Sequence, residues 1–156
     1  MIRKKGILFW ITGLSGSGKT TISKKIHSQI IKSYGPTVLF SGDDIRTIFN
    51  LKNYSYNGRF ETVMKYCKLA KFINSQNINV IFAVIGMMDD IRDWNRKNIK
   101  NYVEIYIKSN LKNIINQNKK KIYQQNKRNL VGLDIKSEYP KKPDITIEND
   151  FKKKWL

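Results

Sequence analysis

The chain is poor in the residues that build covalent and metal-centred sites. It has one cysteine, Cys67, and one histidine, His27, in 156 residues. A single thiol excludes an internal disulfide, and a lone imidazole excludes a His/Cys metal cluster. Both are expected on helix faces as ordinary packing or surface groups. Long apolar runs are also missing. The run after Met1-Ile2-Arg3-Lys4-Lys5 breaks at Gly13, which reads as a core strand, not a signal peptide or a membrane span. The expected setting is the cytoplasm. Neither an internal repeat nor a linker interrupts the chain, and its length suits one domain, residues 1–156, with a real core. Acidic residues are scarce as well, 12 against 30 Lys and Arg, for a formal charge of +18. Three readings of that excess stand: a nucleic-acid surface, attraction of a polyanionic small substrate, or a genome-wide bias toward Lys, Asn and Ile.

What the chain does contain is Gly13-Leu14-Ser15-Gly16-Ser17-Gly18-Lys19-Thr20. This matches G-x-x-x-x-G-K-[ST], the loop that wraps nucleoside triphosphate phosphates. The glycines let backbone N–H groups close on phosphate oxygens. Lys19 supplies positive charge to the β- and γ-phosphates, and the Thr20 hydroxyl can ligate Mg²⁺. The flanks support the match. Gly6 to Thr12 is a short apolar run suited to a buried parallel strand, and Thr21 to Ser33 carries Ile22, Ile26 and Ile30 at helical spacing. ATP, with Mg²⁺, is therefore the expected cofactor, held by Gly13 through Thr21.

Further on, Thr37 to Phe40 reads as a second strand running into Ser41-Gly42-Asp43-Asp44-Ile45-Arg46. Carboxylates at the carboxyl end of a strand lie where open α/β sheets place ligands. Asp44 is expected as N-cap of a short helix, Ile45 to Phe49, and Asp43 as the functional acid. The central strand Asn79 to Ile85 ends at Gly86-Met87-Met88 with no acidic residue, so the carboxylate near the γ-phosphate has to come from elsewhere. A polar and aromatic loop, Tyr54 to Arg59, precedes a helix expected over Phe60 to Gln76, and Arg59 is a candidate anion clamp. Asp89 to Lys100 reads as an amphipathic helix with Arg92 and Arg96 on one face, and Tyr102 to Ile107 as a strand. The lysine-rich stretch from Leu111 to Arg128 is either a solvated helix or a lid over the triphosphate, with the lid placed at about residues 111–131. Asp144 to Glu148 is a last strand. Strands alternating with helices predict an α/β fold with a mostly parallel sheet flanked by helices.

With these motifs in order, the chain resembles the adenylylsulfate kinase family from about Gly6 to Asp144. Phe9 through Thr21 is almost that family's opening signature. Ser41 to Arg46 resembles its Asp-Gly-Asp-Asn-x-Arg, and Tyr54-Ser55 with Arg59 its Phe-Ser-x-x-x-Arg. Lys120 and Tyr123 resemble its Lys-Gly-Leu-Tyr lid, and Gly132-Leu133-Asp134 its Gly-Ile-Asp, followed by a Glu and two prolines. The resemblance implies a P-loop kinase that moves the γ-phosphate of ATP to the ribose 3′-hydroxyl of a nucleotide with an acidic 5′ group. It makes Asp43 and Lys19 catalytic. It brings Asp43, Arg46, Arg59, Thr62, Ile85, Gly86, Lys120, Leu133 and Asp134 to the acceptor. The partner it implies is a small nucleotide, neither nucleic acid nor membrane. Because members often dimerise, it also implies a homodimer.

The departures from the family pattern cluster on the acceptor side. Thr62 stands for an Asn, Met64 for an Arg, and Gly86-Met87 for Ser-Pro. Gln117-Asn118 replaces Arg-Asp before the lid lysine, and the stretch between Tyr123 and Gly132 is short. A bidentate arginine replaced by methionine changes what a site can hold. Such divergence resembles the branch of the family that phosphorylates cytidine diphosphoramidate for capsule polysaccharide modification. That acceptor is expected in preference to adenylyl sulfate. The rivals from other classes are a nucleotide-gated, basic nucleic-acid-binding module and a small-metabolite P-loop kinase.

Overall fold

The computed structural model describes residues 6–117 and 128–152. Five parallel strands form one sheet: β1 (Leu8–Thr12), β2 (Thr37–Ser41), β3 (Asn79–Ala83), β4 (Tyr102–Lys108) and β5 (Ile145–Glu148). Their order is β2-β3-β1-β4-β5. The chain lays β2 and β3 on one side of β1, then crosses to lay β4 and β5 on the other. That reversal opens a crevice at the carboxyl end of β1, where α/β sheets take ligands.

β1 is buried along its whole length and its side chains alternate between two cores. Leu8 and Trp10 join Val80, Phe82, Val63, Cys67 and Ile91 on one face. Phe9 and Ile11 join Ile81, Ile105, Ile107 and Ile22 on the other. A third cluster, Leu14, Met87, Tyr106, Ile114 and Val131, lies under the glycine loop. The helices are α1 (Lys19–Tyr34), α2 (Gly42–Ile48), α3 (Tyr56–Ser75), α4 (Asp89–Asn98) and α5 (Leu111–Gln117). His27 and Cys67 fall on α1 and α3, Cys67 buried as a packing group. Among the described residues no helix is long and apolar enough to cross a membrane.

Three of the element boundaries that differ from the sequence expectation bear on the site. α2 starts at Gly42 with Ser41 in the N-cap position, so Asp43 and Asp44 lie in its first turn and Asp44 is not the cap. α3 starts four residues before Phe60, because the Ser55 side chain accepts from the Gly58 N–H at 3.1 Å and caps an earlier turn. The glycine at 58, poor as a helix former, hid that turn from a periodicity reading. β3 stops at Ala83, since the chain then turns through Ile85 and Gly86 into the crevice. Of the expected lid, α5 is described to Gln117; Lys120 and Tyr123 lie outside the described residues.

Candidate active site

The glycine loop runs from β1 into α1 against two neighbouring segments. A Cβ on Gly13 would sit 2.6 Å from the Ile107 carbonyl oxygen, and one on Gly18 would sit 2.8 Å from Asn149 Nδ2. Gly18 also has φ +99, the left-handed region that glycine enters without penalty. Close packing and backbone hand thus both demand glycine. Lys19 opens α1 and is buried, its Nζ donating to the Leu14 carbonyl at 2.6 Å. Its charge is folded across the loop it would share with a phosphate.

Beside this loop lies a cavity of about 1320 Å³, lined by the carboxyl ends of β2 and β3 and by residues 128–131 and 135–136. Ser15, Gly16, Gly18, Lys19, Thr20 and Thr21 line it from the phosphate-loop side, and Asp43, Arg46, Arg59, Ile85 and Gly86 from the other. These are most of the residues the sequence singled out. Gly13, Leu14 and Ser17 lie behind the loop and are buried. Thr62, Leu133 and Asp134 do not line the cavity. Thr62 is buried on α3, Leu133 is exposed, and the Asp134 carboxylate accepts from the Leu130 N–H at 2.9 Å, closing its own turn. Met64, expected at the acceptor, packs instead against the core cluster under α3.

Both candidate clamps are held by main-chain carbonyls and by one aromatic ring. Arg46 Nη1 donates to Leu51 at 2.7 Å and to Asn53 at 3.3 Å. Arg59 donates from Nε to Tyr54 at 3.0 Å and from Nη2 to Asn129 at 2.8 Å. Their guanidinium carbons lie 4.4 and 5.2 Å from the Tyr54 ring centroid. Carbonyls and a π-face orient the guanidiniums, which suits an anion site. Asp43 lies across the cavity on α2, where the Thr47 hydroxyl donates to its carbonyl at 3.1 Å. Beneath it the Tyr66 hydroxyl donates to the Gly42 carbonyl at 3.1 Å. Burial, with Asp43 adding to it, pushes that phenol up to about 12, so it stays a hydrogen-bond donor at neutral pH.

The turn after β3 is fastened from behind. Arg92, buried on α4, donates from Nη1 to the Gly86 carbonyl at 3.1 Å and from Nη2 to the Glu138 carbonyl at 2.6 Å. It also pairs with Asp89. Glu138 returns the contact, accepting from the Asp89 N–H at 2.7 Å while its own N–H donates to Met87 at 3.0 Å. Burial pulls the Asp89 carboxyl upward, but Lys141 and Arg92 outweigh it and hold it below the usual range. Buried Glu104 on β4 lies 4.0 Å from Arg92 Nε and 3.4 Å from Arg96 Nη2. Burial still keeps its carboxyl above the usual range.

Several lining residues carried no usable signal in the sequence. Tyr66, Asn149 and Phe151 sit in ordinary helical or tail contexts, and Arg128, Asn129 and Lys136 in a stretch that reads as solvent-facing. Only the pairing of distant segments brings them to the cavity. No group of three or more His, Cys, Asp and Glu that could hold a metal occurs among the described residues. The Thr20 hydroxyl is a hard-oxygen donor on the phosphate-loop side of the cavity. It fits Mg²⁺, which is usually bound through few protein ligands together with substrate phosphates.

The chain is similar to known proteins in both sequence and fold. The sequence profile of the adenylylsulphate kinase family matches residues 5–148. A cytidine diphosphoramidate kinase of Campylobacter jejuni is 38% identical over 146 residues, covering 91% of this chain and 85% of that protein. An adenylyl-sulfate kinase of Clostridium acetobutylicum is 30% identical over 154 residues, covering 95% and 77%. Among solved structures, the APS kinase of Mycobacterium tuberculosis in complex with AMPPNP and APS superposes with a TM-score of 0.85 at 22% identity, covering 94% of this chain and 90% of that one.

Proposed function

Because the chain belongs to the adenylylsulphate kinase family and is an ATP-dependent phosphotransferase, we propose that it phosphorylates the ribose 3′-hydroxyl of a nucleotide carrying an acidic 5′ group, with cytidine diphosphoramidate as the favoured acceptor. The observation that carries the reading is one cavity lined by the phosphate loop, Asp43, Arg46 and Arg59 together. Donor and acceptor share one space, as phosphoryl transfer requires.

The residues divide the work by charge. Lys19 leaves the Leu14 carbonyl to meet the β- and γ-phosphates, and the loop amides from Ser15 to Thr20 enclose them. Thr20 is the residue that would hold Mg²⁺, which would supply neutralising charge to the triphosphate. Asp43 aligns the 3′-hydroxyl and accepts its proton as the hydroxyl oxygen bonds to the γ-phosphorus. The bond from that phosphorus to the β–γ bridging oxygen breaks, and ADP leaves with its electron pair. Arg46 and Arg59 grip the acidic 5′ group, so that the acceptor is registered by its charge and the ribose falls at Asp43. Lys120 and the 111–131 segment would cover the triphosphate as a lid. An enzyme of this kind, working on ATP and a nucleotide, belongs in the cytoplasm, as one domain and as a homodimer.

The cytidine acceptor is supported by the 38% identity to a cytidine diphosphoramidate kinase and by Gly86-Met87, which line the cavity where the family pattern has Ser-Pro. Adenylyl sulfate is the second reading, supported by the 30% identity to adenylyl-sulfate kinases. ADP release, measured with each acceptor in turn at saturating ATP, separates them. A higher kcat/KM for cytidine diphosphoramidate is expected. A higher value for adenylyl sulfate reverses the assignment, and turnover of neither ends both.

A further inference from the structure

Asn149 follows directly on β5, and the reaction described above gives it no role. Its side chain is buried, and both polar atoms of that side chain are engaged. Nδ2 donates to the Ser17 carbonyl at 2.9 Å, across 132 residues of sequence, and Oδ1 accepts from the Phe151 N–H at 3.1 Å. Its main chain is tied as firmly. The Asn149 N–H donates to the Lys108 carbonyl at 2.9 Å, and its carbonyl accepts from Ser109 Oγ at 2.9 Å. Ser109 Oγ lies 3.5 Å from the same Ser17 carbonyl. One buried amide thus joins the phosphate loop to the ends of β4 and β5. The fit is tight, since a Cβ on Gly18 would come within 2.8 Å of Nδ2.

The consequence lies in the peptide unit between Ser17 and Gly18. In a trans peptide the C=O and the following N–H point in opposite directions. Holding the Ser17 carbonyl against Asn149 therefore turns the Gly18 N–H away from Asn149. A flip of that unit would present an oxygen where the loop needs a donor, and an anion would meet repulsion. Glycine, with its freedom at φ +99, is the residue most able to flip. We propose that Asn149 is a positioning residue for the donor: through Ser17 it holds the 17–18 peptide in the orientation that receives a phosphate oxygen before ATP arrives. It acts through the loop backbone and needs no contact with the reacting atoms. The proposal does not rest on which nucleotide is the acceptor.

The test compares Asn149→Asp and Asn149→Ser with the wild-type chain. The aspartate keeps the shape but sets an oxygen against the Ser17 carbonyl; the serine is too short to reach it. Calorimetric titration with AMPPNP and Mg²⁺ is expected to show about tenfold weaker binding for Asn149→Asp, in line with a buried carbonyl left without its donor, and a smaller loss for Asn149→Ser. In turnover, KM for ATP rises while KM for the acceptor stays within twofold. A merely structural asparagine would lower Tm and leave both constants alone at a temperature where the variants are folded, and that outcome overturns the proposal. Amide hydrogen exchange on the ligand-free wild type removes any dependence on the variants folding. The Asn149 side-chain amide, which donates to the Ser17 carbonyl, and the Ser17 N–H, which donates to the Leu14 carbonyl at 3.2 Å, are expected to be protected, and rapid exchange of both contradicts a preset loop.

Discussion

Lys19 is buried, and its ammonium is held at 2.6 Å by the Leu14 carbonyl. That contact can be exchanged for phosphate oxygens with little movement, since both lie in one loop. Lys19→Met keeps the stem and removes the charge. It is expected to lower kcat by 100-fold or more, about 3 kcal/mol, without lowering Tm, as steady-state rates and thermal melts would show. At Asp43 the expectation is different. Asp43→Asn should bind AMPPNP as the wild type does and lose about 100-fold in kcat, the scale of a lost general base. A variant with near-normal kcat removes Asp43 from the chemistry. The place of both residues at the cavity was legible before the fold was known because each sits in a local motif, next to the strand end that presents it. Tyr66 and Asn149 were not legible. Their importance comes from partners 24 and 132 positions away, and no local pattern reports such a contact.

At the scale of elements, the strand–loop–helix unit from β1 to α1 was readable from the glycine motif and its apolar flanks, and the parallel sheet from the alternation of strands with helices; the strand order was not. Capping misled the reading where side chains decide the boundary: Ser55 starts α3 early, and the Asp43–Asp44 pair enters the first turn of α2 rather than preceding it. Departures from the family pattern misled it at Met64, which follows the core side of α3 and never reaches the cavity. The turn after β3 is where elements meet function. Arg92 binds Gly86, Glu138 and Asp89, and so fixes a cavity wall from the far side of α4. Arg92→Gln leaves Asp89 and Glu104 without their buried cation and is expected to cost about 3 kcal/mol in urea unfolding. If the wall it supports faces the acceptor, as proposed, the KM for the acceptor should rise more than the KM for ATP. Equal changes in the two constants would mean that the turn serves the fold alone.

For the molecule as a whole, the charge of +18 is the feature that composition explains least. Part of it converges on the cavity through Lys19, Arg46, Lys52, Arg59, Arg128 and Lys136, as attraction of a polyanionic substrate would have it. The same core predicts an alkaline limit to stability. Burial raises Tyr66 and Cys67 each to about 12, above their ordinary values of 10.0 and 9.0. Groups raised in the folded state contribute fully below their unfolded values and lose that contribution as pH climbs through the folded ones. Stability should therefore fall between about pH 9 and 12. Tyr66→Phe should flatten the fall by about 2 kcal/mol in urea unfolding at pH 8.5 and 11.5. An unchanged slope would show that the phenol ionises freely.

The central claim is transfer from ATP to a ribose 3′-oxygen, and the product reports it directly. Incubating the enzyme with ATP, Mg²⁺ and cytidine diphosphoramidate, then recording ³¹P–¹H correlation spectra, locates the new phosphate. The account predicts a coupling from one new phosphorus to the ribose H3′, with ADP formed in equal amount. A phosphate on the 2′-oxygen or on the 5′ group, or ADP formed with no phosphorylated nucleotide, would contradict it.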